Sequence, residues 1–284
     1  MGFDLQAHGI DPQTGSASSA VASYNVLSFE QIRVTAAWEK YEWVLTWGKG
    51  QCLAILDDGC DLSDPAWQAV MPWGKKVIAT WNSIEGNENC HPVPPGYHGT
   101  TVGYPSSLNL NGVHGVAYNK FVAQVRCVTV VHLRQDESRT VAAGLRWVRE
   151  NHERRRITAV NLSPVDDQRH QEPLPTVVDA ELRALRRLGI WVSAPCGNHH
   201  YTDGISWPAC QPDCFAIGGT GGTARSTKIN RDCGAVEKSV EQPPPRCAVR
   251  TALFLHRRGR LCHIDSRLRA ATRSIQSGHI QQPH

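Results

Sequence analysis

Two residues in this sequence are of the types that could work together, an acid that orients and a histidine that moves a proton. Asp57 ends the apolar run "CLAIL" and is followed at once by Asp58 and Gly59, while His98 opens "HGTTVG" behind the proline-rich loop "CHPVPPGYHGT". An aspartate at the carboxyl end of a buried strand can be held by loop amides. It can also orient a histidine arriving from elsewhere, as the acid does in a Ser-His-Asp triad. Taken on its own segment, Asp57 reads first as a turn or capping residue. His98 starts a helix after prolines that exclude helix before it, which suits it to face a cleft. Other clusters carry less. His199 and His200 beside Asn198 lack the HxxxH or paired Cys/His spacing of a metal site and read as surface histidines. "GGTGGT", residues 218–223, has neither the lysine nor the glycine spacing of a phosphate loop and reads as a turn.

Positions 57 and 98 meet only if the chain between and around them forms a sheet that brings strand ends to one edge. Short apolar runs at 52–56, 77–81, 121–131, 157–162, 190–194 and 214–217 have strand length and β-branched content. A helix is expected from residue 28, with Ile32, Ala36 and Trp38 or Tyr41 at helical spacing. Between runs lies "ESRTVAAGLRWVREN", where Ser138 can cap and Val141, Leu145 and Val148 share a face. Further on, Thr176 and Asp179 form a capping-box-like pair ahead of "AELRALRRLG", with Gly189 placed to end the helix. This strand-helix-strand rhythm predicts an α/β fold: a mostly parallel sheet flanked by helices, with ligands at the carboxyl ends of the strands.

Taken together, "LAILDDGCD", "HGTTVG", "NGVHGVAYNKFVAQVRCV", "AVNLSP", "GIWVSAPCGNHH" and "PACQPDCFAIGGT" resemble, in order and spacing, the subtilisin-like serine peptidases over about residues 30–220. The resemblance implies a three-layer subtilisin-like α/β fold whose C-terminal part is incomplete or divergent. It also implies an endopeptidase acting on a polypeptide held in extended conformation. In that family's terms Asp57 is the catalytic aspartate, His98 the general base, and Asn198 the oxyanion donor. Ser163 and Val165 fall on the strand that pairs with substrate, and Gly197 on the wall of the primary specificity pocket.

The departures from the family pattern are specific. Asp58 replaces a small hydroxyl residue, so two carboxylates share one neighbourhood. Thr101 stands where a second histidine is usual, and Pro105 shortens the helix that begins at His98. Pro164 and Val165 replace Leu-Gly on the substrate strand, where Val165 would narrow the site. Ala66 occupies the position of a calcium-binding aspartate, so no metal is expected; no cofactor is expected either. After Cys214 the serines are Ser226, Ser239, Ser266, Ser274 and Ser277, and none follows Gly-Thr or opens an apolar helix. The nucleophile is therefore not found, and truncation or a shifted reading frame is one account of the tail. The alternative to a peptidase is a non-catalytic, peptide-binding pseudopeptidase.

Composition sets the frame: 40% hydrophobic and 20% charged residues in 284 suit a globular α/β protein. The expected organisation is an N-terminal arm at 1–27, a partial peptidase domain at 28–235 and a divergent basic tail at 236–284. From Arg246 onward there are eight arginines, no lysine and one acid, Asp265, and this tail accounts for the net charge of +4. It lacks interleaved aromatics, so no nucleic-acid partner is expected. No apolar run of membrane-spanning length and no basic-then-apolar leader is visible, leaving a cytoplasmic location as the default. The ten cysteines read as buried reduced thiols.

Overall fold

The structure, a computed structural model, describes residues 29–30, 32–129, 137–199 and 201–218. The arm at 1–27, the tail at 236–284, His200 and the serines after Cys214 lie outside the described residues. So does most of "GGTGGT".

Strands β1 (Cys52–Asp57), β2 (Val77–Asn82), β3 (Phe121–Arg126), β4 (Ile157–Leu162), β5 (Trp191–Pro195) and β6 (Phe215–Ile217) form one sheet in the order β6-β5-β4-β1-β3-β2. Every pairing in it is parallel. The helices are α1 (Val34–Tyr41), α2 (Pro65–Gln68), α3 (His98–Thr101), α4 (Tyr104–Ser107), α5 (Ser138–Arg155) and α6 (Val178–Arg187). No helix among the described residues is long and apolar enough to cross a membrane.

Alternation along β1 divides the core. Cys52, Ala54 and Leu56 face a cluster with Val141, Leu145, Val148, Leu182 and Leu185 from α5 and α6. Ile55 faces the opposite side with Val122, Trp67, Tyr104 and Leu108. Both faces of β1 are dry, which is why its sequence reads as an unbroken apolar run. Each fully buried leucine contributes about 1.5–3 kcal/mol relative to exposure. The two long helices are also clasped: Glu181 on α6, 6% exposed, accepts from Arg146 Nε at 2.9 Å and Arg149 Nε at 2.8 Å. Burial alone would raise the Glu181 carboxyl, but these arginine hydrogen bonds outweigh it and hold the group below its ordinary range.

Three expectations need correction. The run 121–131 stops as a strand at Arg126, because the chain turns over the end of β1: Cys127 and Val128 both donate to Asp57 O, at 2.9 and 3.4 Å. Ser138 does not cap α5; it is the first helical residue, and the cap position is Glu137, without a side-chain capping bond. The helix expected from residue 28 is present but broken: Phe29 and Glu30 are helical, and α1 starts anew at Val34, after Arg33 in a left-handed conformation with φ 64°. The capping-box pair does form: Thr176 N and Oγ1 each donate to the Asp179 carboxylate at 3.2 Å. Gly189, at φ 77°, ends α6 as its position suggested.

Two buried lysines hold the loop that crosses from α4 to β3. Lys76 Nζ donates to Tyr118 O at 2.6 Å and Lys120 Nζ to Ser106 O at 2.5 Å. Burial pushes Lys76 down to about 8, and burial with the Lys76 charge pushes Lys120 down to about 7. The cysteines at 52, 60, 90, 127 and 214 are buried free thiols, as expected, and those at 196 and 210 are buried too.

Candidate active site

From β1 the chain builds outward through β2 and β3 on one side, then through β4, β5 and β6 on the other. Such a reversal leaves a crevice at the carboxyl end of the central strand. Asp57 is the last residue of β1 and lies at that place, 1% exposed. His98 is the first residue of α3, and its Nδ1 lies 2.9 Å from Asp57 Oδ1 and 3.0 Å from Oδ2. An ionised carboxylate only accepts, so Nδ1 carries the proton and Nε2 is left as an acceptor. Asp57 Oδ1 is also held by the Asp58 amide at 2.8 Å, which fixes the carboxylate's rotation. Burial pulls the His98 imidazole down, but the Asp57 hydrogen bond and the charges of Asp57 and Asp58 outweigh it. The net shift is upward. A histidine so held can take a proton from a hydroxyl at Nε2 and return it to a leaving group.

The helix carrying His98 is short, as Pro105 suggested: α3 ends at Thr101, and α4 restarts with Pro105 in its first turn. At Gly103 between them a Cβ would lie 2.6 Å from Ile55 Cδ1 and 2.7 Å from Trp67 Cη2, so only glycine lets the break pack against β1. Thr101, at the position of the usual second histidine, is buried and donates from Oγ1 to His98 O at 3.2 Å.

The remaining sequence-marked residues follow strands that end at the same edge of the sheet. Gly197, at φ 101°, follows β5, and a Cβ there would lie 2.3 Å from Ser206 Oγ. Asn198 is exposed just beyond it, and no hydrogen bond joins it to Asp57 or His98. Ser163 follows β4; its amide donates to Leu56 O at 3.3 Å and its Oγ accepts from Asn161 Nδ2 at 2.8 Å. Val165 is buried.

Sequence reading missed two features here. Asp64 accepts from Ala66 N at 2.9 Å, Tyr97 Oη at 2.7 Å and Tyr104 Oη at 2.5 Å, tying α2 to the loop before His98 and to α4. The string Asp64-Pro65, a capping residue before a first-turn proline, was the available signal. Asp166 accepts from Trp207 N at 3.0 Å and pairs with His170 Nε2 at 2.6 Å, so the chain beyond Val165 is fastened to the segment around Trp207. Among the described residues no group of three His, Cys, Asp or Glu side chains could hold a metal. A groove of about 690 Å³ runs along edge strand β2, lined by Trp81, Trp147, Lys75 and Arg154 among others, but neither Asp57 nor His98 lines it.

No protein-family model matches the chain, and no curated protein matches it. Solved structures do. The MycP3 protease from the type VII (ESX-3) secretion system is similar with a TM-score of 0.51 and 18% identity, covering 72% of this chain and 60% of that one. Sphericase is similar with a TM-score of 0.51 and 18% identity, covering 61% of this chain and 54% of that one. A cold adapted subtilisin-like serine proteinase gives 0.48 and 18%, with 62% and 56% covered. The chain thus spans little more than half the length of these structures, and over that part it has a subtilisin-like α/β fold.

Proposed function

We propose that the chain is a subtilisin-like serine endopeptidase domain in which Asp57 orients His98 and His98 is the general base. Asn198 is the oxyanion donor, a role whose loss typically costs about 2.7–4 kcal/mol of transition-state stabilisation. Ser163, Val165 and Gly197 line the path of an extended polypeptide, whose main chain supplies affinity by strand-like pairing. The observation that carries this reading is the pair of contacts from His98 Nδ1 to both Asp57 oxygens, 2.9 and 3.0 Å, at the carboxyl end of the central strand. The domain spans 28–235, with an arm before it and a basic tail from 236.

A second reading is favoured by one fact of the sequence: no Gly-Thr-Ser turn follows Asn198 in these 284 residues. The triad acts as a unit, so without its nucleophile the base and oxyanion donor retain only residual value. The chain then binds extended peptide without cutting it. A fluorophosphonate probe and a peptide-library hydrolysis assay separate the readings. The pseudopeptidase reading expects no labelling and no turnover; labelling at Ser226, Ser239, Ser266, Ser274 or Ser277 with turnover would identify the nucleophile and overturn it in favour of the endopeptidase. Hydrolysis that survives His98→Ala would overturn both.

A further inference from the structure

Asp58 is the local oddity of the sequence, a carboxylate where the resembling chains carry a small hydroxyl. It is 3% exposed, and both of its oxygens are engaged. Oδ1 accepts from Gly99 N at 2.8 Å and Oδ2 from His98 N at 3.2 Å. Its neighbour Asp57 holds the ring of the same His98. We propose that Asp58 is a positioning residue for His98, a second carboxylate that clamps the histidine's backbone while Asp57 fixes its ring; the inference rests on the peptidase-type reading above.

A simple helix cap does not account for the residue type. Serine or threonine would satisfy one amide with a neutral group and no charge to bury. Here burial, then the Asp57 charge, push the Asp58 carboxyl upward, and the Gly99 and His98 amides and the His98 imidazole pull the other way. Burying a second carboxylate beside the first is unfavourable unless it is paired and hydrogen-bonded. The groups that pair it are those of His98 and Gly99.

The charged and titratable surroundings are the same for both carboxylates. Asp57 and Asp58 come from the end of β1 and His98 from α3. From the end of β3 comes Arg126, the register partner of Asp57, and from the turn after it the Cys127 thiol, which burial, then the Asp57, Glu137 and Asp58 charges, raises. Arg126 is drawn instead toward Glu85, with Nη1 3.9 Å from Oε1. His98 is therefore the one imidazole set against two adjacent carboxylates among these groups. Asp58 both fixes where His98 starts α3 and favours the ring's protonated form.

The test reads His98 directly and needs no catalytic serine. The ring of His98 is titrated by NMR in the isotopically labelled full chain, in Asp58→Asn and in Asp57→Asn. Asparagine keeps the size and one acceptor oxygen but removes the charge. The titration midpoint should fall by about one pH unit in Asp58→Asn, and also in Asp57→Asn. An unchanged midpoint in Asp58→Asn beside a lowered one in Asp57→Asn overturns this proposal and leaves the peptidase-type reading standing. Unchanged midpoints in both overturn the two together. Should Asp58→Asn fail to fold, the unaltered chain answers: the amide protons of His98 and Gly99 should shift with pH in step with the Asp58 carboxyl carbon. Amides indifferent to that carbon's titration overturn the proposal.

Discussion

Gly99 lies so close to Gly59 that a Cβ on it would sit 2.2 Å from the Gly59 carbonyl oxygen and 2.8 Å from Asp57 Cβ. Neither neighbour is the far end of a flexible side chain, so neither can yield without moving backbone. Gly99→Ala must push α3 off the end of β1 and draw His98 from Asp57. A loss of about 1–3 kcal/mol in urea unfolding is expected. The His98 titration should also move down toward that of an ordinary histidine. A wild-type unfolding midpoint in Gly99→Ala would show that the approach is not so close.

Asp64 joins α2 and α4 to the loop that delivers His98. Asp64→Ala removes a cap and the charged acceptor of two phenol hydroxyls, one of them on buried Tyr104, so a loss of about 3 kcal/mol is expected by denaturant unfolding. Asp64→Asn, which keeps an acceptor, should lose less than half of that. Burial, then the Asp64 hydrogen bond and charge, hold the Tyr97 phenol above its ordinary range. In Asp64→Ala a larger share of the absorbance change of tyrosine ionisation should therefore fall at lower pH.

Stability should pass through a maximum between about pH 8 and 9. The unfolded chain keeps its lysine protons to 10.5, whereas the folded chain loses those of Lys120 and Lys76 at about 7 and about 8. Above about pH 7 the unfolded state thus binds more protons, and stability rises with pH. Thiols act in the opposite sense. Unfolded cysteine titrates near 9.0, while burial lifts Cys90 to about 11 and Cys52 and Cys214 to about 12. Above about pH 9 the folded state binds more protons, and stability falls. Urea midpoints from pH 6 to 10 check this; Lys120→Met should flatten the rising limb, and a monotonic profile would refute the account.

Leu145 is fully buried between α5 and the sheet, and Leu145→Ala should cost about 2–5 kcal/mol. Val70, 77% exposed, is the internal control: Val70→Ala should stay within about 0.5 kcal/mol of wild type.

The sheet was legible in the sequence because both faces of β1 and β3 are covered, which forces largely apolar runs at strand length. The Asp57–His98 pairing was legible through the order and spacing of several motifs together, since either residue alone had an ordinary local explanation. The break between α3 and α4 was visible as Pro105, but its exact setting depends on Gly103 meeting Ile55 and Trp67, contacts between elements far apart in the chain. Asp64, Glu181 and Asp166 escaped for the same reason: local sequence shows a charged residue, and only tertiary contact shows what it holds. Asp58 was visible as a departure, yet its two amide partners lie forty and forty-one residues away.

Cys52, Cys60, Cys90, Cys127 and Cys214 are buried free thiols, and they are distributed over strand β1, the loops that follow β1 and β3, and the turns leading into His98 and β6. A thiol in such a place meets an alkylating reagent only when its surroundings open. The molecule therefore carries its own clocks: the order in which these cysteines gain the mass of a reagent would rank its regions by how often each one opens. Cys60 and Cys90, flanking the approach to His98, would time the site itself, while Cys52, within β1, would time the opening of the central strand.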